Sequence, residues 1–380
     1  MDFSLTEEQQ MFQRMVRDFA TKELGPLVAE LDEKEEFPTE IVKKMGELGL
    51  FGAGISEEYG GCGGSGTEVA IACEELSRVD AGTGCTFLAS VSLACHPLYS
   101  AGTDEQKRRF VIPMAKGEKL AAFGLTEPAA GSDATAIQTT ATKQGDSYIL
   151  NGTKIFISNG GVADVVVAFA TVDKSLKHRG IIALAIDKGT TQGLSVGKTE
   201  KKLGIRSSNT AELVFENCAV PIENRLGEEG KGFRIAIEAI DSSRTTVAAQ
   251  AVGIAQAAFE ASLAFAKDRQ QFGQAISSFQ AIQWMLADMA TQIDAARLLT
   301  YHACYLKEKG LPFVKEAAMA KLFAAEAAMA ITTKAIQIHG GYGYVKDFPV
   351  ERLFRDAKIT EIYEGTSEMQ RMTIARNLLQ

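Results

Sequence analysis

Tyr148-Ile149-Leu150-Asn151-Gly152-Thr153-Lys154-Ile155-Phe156-Ile157 is the stretch on which the fold turns. Two β-prone runs, 148–150 and 155–157, flank Asn-Gly, a dipeptide that accepts the positive φ of a tight turn, so the pattern predicts two strands joined as a hairpin. Downstream, residues 165–170, 181–186 and 212–215 continue as short β-rich runs between Gly, Asp and Lys clusters. Upstream the period is helical. Met11/Phe12, Met15/Val16 and Phe19/Ala20 step at helix spacing, and Thr6 with Gln9 reads as a capping box. Further helical patterns lie around 39–50, 67–78, 86–101 and 104–116, separated by Gly-rich or Pro-containing turns. From Gly232 the helical period returns in Ala-rich stretches near 233–267, 278–309 and 313–338, each long enough to span a bundle. Ser367 with Gln370 reads as another capping box, which leaves 362–366 as the loop entering a last helix. The expectation is an α+β multidomain chain: an N-terminal α-helical domain over 1–120, a small middle β-domain over 121–225 and a C-terminal helical bundle over 226–380.

Composition narrows the partners. A chain of 380 residues exceeds what one hydrophobic core serves, and 46% hydrophobic with 23% charged residues is ordinary for a globular protein. The formal net charge of -8 repels nucleic acid and anionic membrane, so neither is expected as a partner, and a phosphate-bearing ligand must be held by local groups. No apolar run approaches the ~20 residues of a membrane span. The opening MDFSLTEEQQ carries acid where targeting segments carry base, so a cytoplasmic protein or an already trimmed chain is expected. The six cysteines and four histidines are scattered without metal-ligand spacing, and no metal is expected.

Gly61-Cys62-Gly63-Gly64-Ser65-Gly66 satisfies the GxGxxG pattern, but the polar Ser56-Glu57-Glu58-Tyr59 before it is no buried strand and no βαβ alternation follows. It reads as a turn. Three other segments carry more: Phe123-Gly124-Leu125-Thr126-Glu127-Pro128-Ala129-Ala130-Gly131-Ser132-Asp133, then Arg269-Gln270-Gln271-Phe272-Gly273, then Ile362-Tyr363-Glu364-Gly365-Thr366-Ser367-Glu368. In their order and spacing, and with the helix–sheet–helix texture, the chain resembles the acyl-CoA dehydrogenase family over essentially its whole length. Within it the nearest resemblance is to bacterial butyryl-CoA, or short-chain, dehydrogenases.

That resemblance implies a barrel-like middle domain, a C-terminal four-helix bundle and FAD as cofactor. It places Phe123, Leu125, Thr126, Gly131 and Ser132 along the polar edge of the flavin, where donors stabilise the charge of the reduced ring. Phe156, Ile157 and Ser158 match the strand on the other flavin face, with Phe156 where the family often has tryptophan and Ser158 where a threonine commonly bonds N5. Arg269, Gln271, Phe272, Phe279, Gln280, Gln337, Gly340 and Gly341 match positions holding the adenine dinucleotide half across a subunit boundary, and Thr366 and Glu368 also fall among the cofactor positions. Arginine grips a pyrophosphate bidentately and paired glycines let the backbone come close. In isolation each motif also has a plain structural reading, from loop to helix end to solvated ion pair.

For the substrate, Ser132, Ile240, Asp241, Arg244, Tyr363 and Gly365 match acyl-CoA contacts, and Glu364 matches the catalytic base. Relatives that carry the base immediately before the arginine of the substrate helix are disfavoured, because Ser243 stands there. An uncharged acyl tail is expected, since no Lys or Arg lies between Arg78 and Lys107. Electron-transfer flavoprotein as acceptor and a homotetramer built as a dimer of dimers are implied. A branched or cyclic acyl group, an oxidase using O2, and a non-catalytic thioester-binding or electron-transfer scaffold stand as alternatives.

Overall fold

The computed structural model describes residues 4–379, so the first three residues of the acidic opening lie outside it. Gln9 N–H donates to the Thr6 hydroxyl at 3.2 Å and the Gln9 side chain accepts from Thr6 N–H at 3.1 Å, which starts α1 (Glu7–Phe19) on the expected capping box. There follow α2 (Val28–Lys34), α3 (Thr39–Glu47), α4 (Gly66–Val79) and α5 (Ala81–Leu88), the last passing through the π-helical turn Ala89–Ala94 into α6 (Cys95–Ala101). The short α7 (Asp104–Gln106) and α8 (Ile112–Ala115) close this helical region. The glycine run at 61–66 is a turn: Gly63 bridges Ile55, and Ser65 caps α4 with Glu68 in a second capping box.

The sheet comprises β1 (Ala121–Gly124), β2 (Thr140–Gln144), β3 (Ser147–Ser158), β4 (Val165–Thr171), β5 (Ile181–Asp187), β6 (Leu194–Thr199), β7 (Thr210–Pro221) and β8 (Arg225–Leu226). Their order is β6-β7-β3-β2-β4-β5-β8, with β1 added beside β4 in parallel. Every residue of β4 is buried, which is why its sequence is a continuous apolar run without alternation.

Asn151-Gly152 does not form the expected hairpin. β3 runs straight through it as one 12-residue strand, and its register against β7 slips between Leu150 and Gly152. Gly152 has φ +152, and a Cβ there would sit 2.7 Å from Thr139 Cα. The glycine answers a close backbone approach at a bulge and not a reversal; Asn-Gly satisfies both demands. The chain reverses instead at Gly145-Asp146, between the paired residues Gln144 and Ser147.

The C-terminal region holds α9 (Gly232–Asp268), the small β9 (Gln270–Gln271) and β10 (Gln274–Ala275) hairpin, α10 (Gln280–Glu308), α11 (Val314–His339), α12 (Val350–Ala357) and α13 (Ser367–Leu378). Helices α9, α10 and α11 pack against one another, and α13 against α11. The seam is built from small residues, Ala251, Ala255 and Ala258 of α9 with Ala317, Ala320 and Ala324 of α11, all in one buried cluster. Helix α9 is long and apolar enough by composition to cross a membrane, which corrects the expectation from the sequence that no segment is. Most of that window, 61%, is buried inside the protein, so its apolarity belongs to a core helix.

Candidate active site

The loop at 362–366 enters α13, whose N-cap is Thr366 and not Ser367. Thr366 has the extended backbone of a cap (φ -60, ψ 166) and its hydroxyl accepts from Met369 N–H. Within the loop Glu364 (φ +56) and Gly365 (φ +89) are consecutive left-handed residues. For the glutamate this costs on the order of 1–3 kcal/mol, so the surroundings must impose it. They do: Gln370 Nε2 donates to Glu364 O at 3.1 Å and to Gly365 O at 2.8 Å, and Lys321 Nζ donates to Gly365 O at 2.7 Å.

The turn delivers the Glu364 carboxylate to α9, where Ser243 Oγ donates to it at 2.6 Å. Burial pushes the Glu364 pKa up; the Ser243 hydrogen bond and the charges of Arg244 and Lys321 oppose that without cancelling it. Among the described residues the Glu364 backbone N–H donates to no protein acceptor, so a free donor stands beside the carboxylate. Arg244 and Asp241 pair at 2.5 Å with side chains only 9% and 15% exposed, a buried pair and not a solvated one. Arg244 Nε is buried without a partner, a donor left for a ligand. Tyr363, next to Glu364, donates its hydroxyl to the buried Gln250 of α9, and Gln250 donates to Ala81 O on α5 at 2.9 Å.

On the sheet side, Lys154 of β3 is completely buried and donates to Leu125 O at 3.1 Å and to Glu127 Oε1 at 2.6 Å. Glu127 in turn accepts from the Thr139 and Gln138 amides, so the pair staples the 125–132 loop to the sheet. Burial pushes Lys154 down to about 8. For Glu127 burial works upward, and the Lys154 charge with its hydrogen bonds wins, leaving that carboxyl below its usual range. Gly131 and Ser132 are exposed at the end of this loop.

Phe156 sits at φ +57 where β3 slips register between Lys154 and Ile157, and its ring is 61% exposed. The strained backbone at this bulge turns the aromatic face outward, where a planar ligand could stack on it. Ser158 is within 3.7 Å of Cys85 on α5. Phe123 and Ile157 have side chains in the core, Phe123 packed on Phe169 at 4.8 Å, so from these positions only backbone is offered to a ligand.

Arg269, Gln271, Gly340 and Gly341 line a cavity of about 490 Å³ with Phe265, Tyr342 and neighbours. Arg269 lies over the Tyr342 ring at 5.2 Å and has no carboxylate partner among the described residues. A Cβ built on Gly340 or Gly341 would meet nothing within 4 Å, so the glycines face open space. Phe272, at the tip of the small hairpin, is 92% exposed and meets Phe279 edge-on at 6.1 Å. Gln280, Gln337 and Glu368 are exposed, and neither glutamine lines the cavity. No flavin-edge residue and not Glu364 lines it either.

An unpaired arginine beside glycines facing open space fits a pyrophosphate, and an exposed aromatic with a nearby hydroxyl fits a flavin face; the residues present suit FAD. Several residues of the site escape motif reading: Lys321, Gln370, Gln250 and the Lys154–Glu127 pair. The available signal was a charged or amide side chain inside an apolar run, as with Lys321 in Ala317-Ala318-Met319-Ala320-Lys321-Leu322-Phe323-Ala324-Ala325.

Sequence profiles described as acyl-CoA dehydrogenase N-terminal, middle and C-terminal domains match residues 6–118, 122–218 and 230–379. The chain belongs to the acyl-CoA dehydrogenase family and is an FAD-dependent oxidoreductase of that class. It is 54% identical over 375 residues to a short-chain specific acyl-CoA dehydrogenase of Clostridium acetobutylicum, covering 99% of each chain. It superposes on butyryl-CoA dehydrogenase from Megasphaera elsdenii with a TM-score of 0.98 at 49% identity and complete coverage of both chains. A chain solved in work on the electron transferring flavoprotein of Acidaminococcus fermentans and flavin-based electron bifurcation superposes with a TM-score of 0.99 at 53% identity, again with complete coverage of both.

Proposed function

We propose that the protein dehydrogenates a short-chain, uncharged acyl-CoA to the trans-2-enoyl-CoA, with Glu364 taking the α-proton. The observation that carries this is the Glu364 turn: a carboxylate with a raised pKa, held by Ser243, beside its own unpaired backbone N–H. That N–H would bond the thioester oxygen and acidify the α-position while the carboxylate removes the proton. When bound, FAD supplies the acceptor for the β-hydride. Leu125, Thr126, Ser132, Phe156 and Ser158 would position its ring, and Arg269, Gln271, Gln337, Gly340 and Gly341 its nucleotide half. Arg244, with its free Nε, and Asp241 would hold the CoA portion, and Ile240 and Tyr363 would flank the acyl chain.

A short chain is supported by the short-chain specific relative, and the Tyr363–Gln250–Ala81 bridge ties the residue next to Glu364 to α9 and α5. The Arg269 cavity contains none of the flavin-edge residues, which supports a cofactor shared between subunits of a homotetramer. Electron-transfer flavoprotein as acceptor draws on the Acidaminococcus work. Three domains, over 1–120, 121–225 and 226–380, and a cytoplasmic location complete the reading. The test is a panel of butyryl-, hexanoyl-, isobutyryl- and glutaryl-CoA with a dye acceptor, run against oxygen. Butyryl-CoA with the dye should be turned over fastest. No activity on any acyl-CoA by a yellow protein, or faster turnover with oxygen, would overturn it.

A further inference from the structure

Helix α11 carries a lysine where its neighbours are alanines: Ala317, Ala318, Ala320, Ala324 and Ala325 are all buried around Lys321, which is itself fully buried. No carboxylate lies within ion-pairing distance of Lys321 among the described residues, and its hydrogen bond goes to one atom, the Gly365 carbonyl oxygen, at 2.7 Å. A buried ammonium without an ion-pair partner is costly. The atom it holds is the carbonyl of the second left-handed residue, next to Glu364, so the ammonium helps to fix the turn that places the Glu364 carboxylate against Ser243.

The charged groups facing Lys321 come from several elements: Glu364 from the loop, Arg244 from α9, Glu361 from the turn before the loop and Glu368 from α13. Arg244 is neutralised by Asp241. Glu361 is engaged with Lys358, and Glu368 is exposed. Glu364 is the strongest of these influences on Lys321, and Lys321 reciprocally pulls the Glu364 pKa down against burial.

We propose that Lys321 is a positioning residue for the base: its ammonium clamps the Gly365 carbonyl to set the Glu364 turn, and its charge keeps the Glu364 carboxylate ionised in an apolar site. This rests on the reading of Glu364 as the base. Gln370 shares the clamp, donating to the same carbonyl, but brings no charge. The two jobs therefore separate. Lys321→Met removes both, while Lys321→Gln keeps a donor and removes the charge. Burial holds the Lys321 pKa down to about 8 and a neutral amine can still donate to the Gly365 carbonyl, so above that pH the rates of the wild type and Lys321→Gln should converge while Lys321→Met stays slow.

The experiment is done on the FAD-loaded protein and has one arm that needs no substrate. Glu364 ionisation is followed by difference infrared titration of its carboxyl stretch, assigned with Glu364→Gln. In Lys321→Met and Lys321→Gln the Glu364 pKa should rise by roughly 1 unit, the size expected for loss of a nearby opposite charge. In the second arm anaerobic bleaching of the flavin by butyryl-CoA should slow about 10-fold to 100-fold in Lys321→Met from misplacement of the base. Lys321→Gln should recover most of that rate at high pH while keeping the shifted acid limb. A yellow, folded variant with the wild-type Glu364 titration and the wild-type bleaching rate would overturn the inference. A shifted titration in a protein whose wild type is not bleached by butyryl-CoA would support the role of Lys321 and sink the proposed reaction instead.

Discussion

Two loops build this site, and a completely buried lysine holds each by a backbone carbonyl. Lys154 donates to Leu125 O on the flavin side and Lys321 to Gly365 O on the base side. Burial pushes both ammonium groups down to about 8. They differ in their company: Lys154 is neutralised by Glu127 at 2.6 Å, whereas Lys321 has no such partner and faces the base from further away. The flavin-side loop has only to stay in place, and a closed ion pair does that. In the proposed reaction the other loop carries a carboxylate that must gain a proton, and the neighbouring cation is left without an ion-pair partner. Arg269 has no carboxylate partner and Arg244 Nε no hydrogen bond, while Arg355 is engaged by both Asp32 and Glu351.

Removing Lys154 should do the greatest damage to stability. Lys154→Met leaves Glu127 buried and unpaired, a loss of about 3–5 kcal/mol, and should release the flavin; chemical denaturation with flavin absorbance measures both. Lys321→Met breaks no ion pair and leaves Glu364 with Ser243 and Arg244, so it should cost only about 1 kcal/mol for its hydrogen bond. Equal losses would erase the distinction between the two loops. Next in size is Arg269→Ala. Loss of a charge-assisted contact to phosphate, about 1.5–3 kcal/mol, should weaken FAD binding in a titration of the apoprotein without moving the unfolding midpoint of the FAD-free chain. A fall in that midpoint would make Arg269 structural.

A smaller effect belongs to the helix cap. Thr366→Ala should cost about 1 kcal/mol in thermal unfolding, whereas Ser367→Ala, at a hydroxyl without a partner, should cost nothing measurable. The least is expected from Glu364→Gln. The folded-state pKa of Glu364 is raised, so the native state binds the proton more tightly than the unfolded chain, and the cost of ionising the group is present above the folded pKa and absent below the unfolded one. The variant should therefore melt slightly higher than the wild type at neutral pH, and the gain should vanish as the pH falls below 4.5, the unperturbed carboxyl value.

The long helices were legible because their period is set by one buried face, so 233–267, 278–309 and 313–338 fall within two residues of α9, α10 and α11. Asn151-Gly152 misled because a glycine is required equally by a turn and by a bulge against Thr139, and sequence shows the residue without the reason. Glu364, Arg244 and Arg269 could be named as candidates by resemblance because their segments are contiguous. Lys321 and Gln250 could not, because each acts on a loop far along the chain, 44 residues away for Lys321 to Gly365 and 113 for Gln250 to Tyr363, and nothing local marks that contact.

The central claim is that Glu364 takes the proton, and anaerobic mixing of the FAD-loaded protein with butyryl-CoA tests it most directly. Glu364→Gln keeps the shape and a hydrogen bond to Ser243 but cannot accept a proton near neutral pH. The wild-type flavin should bleach, with a rate that falls toward acid pH as Glu364 protonates. The variant, yellow and binding the thioester, should bleach slower by about 10²-fold to 10⁴-fold or more. A variant that bleaches at the wild-type rate would contradict the account and place the base elsewhere.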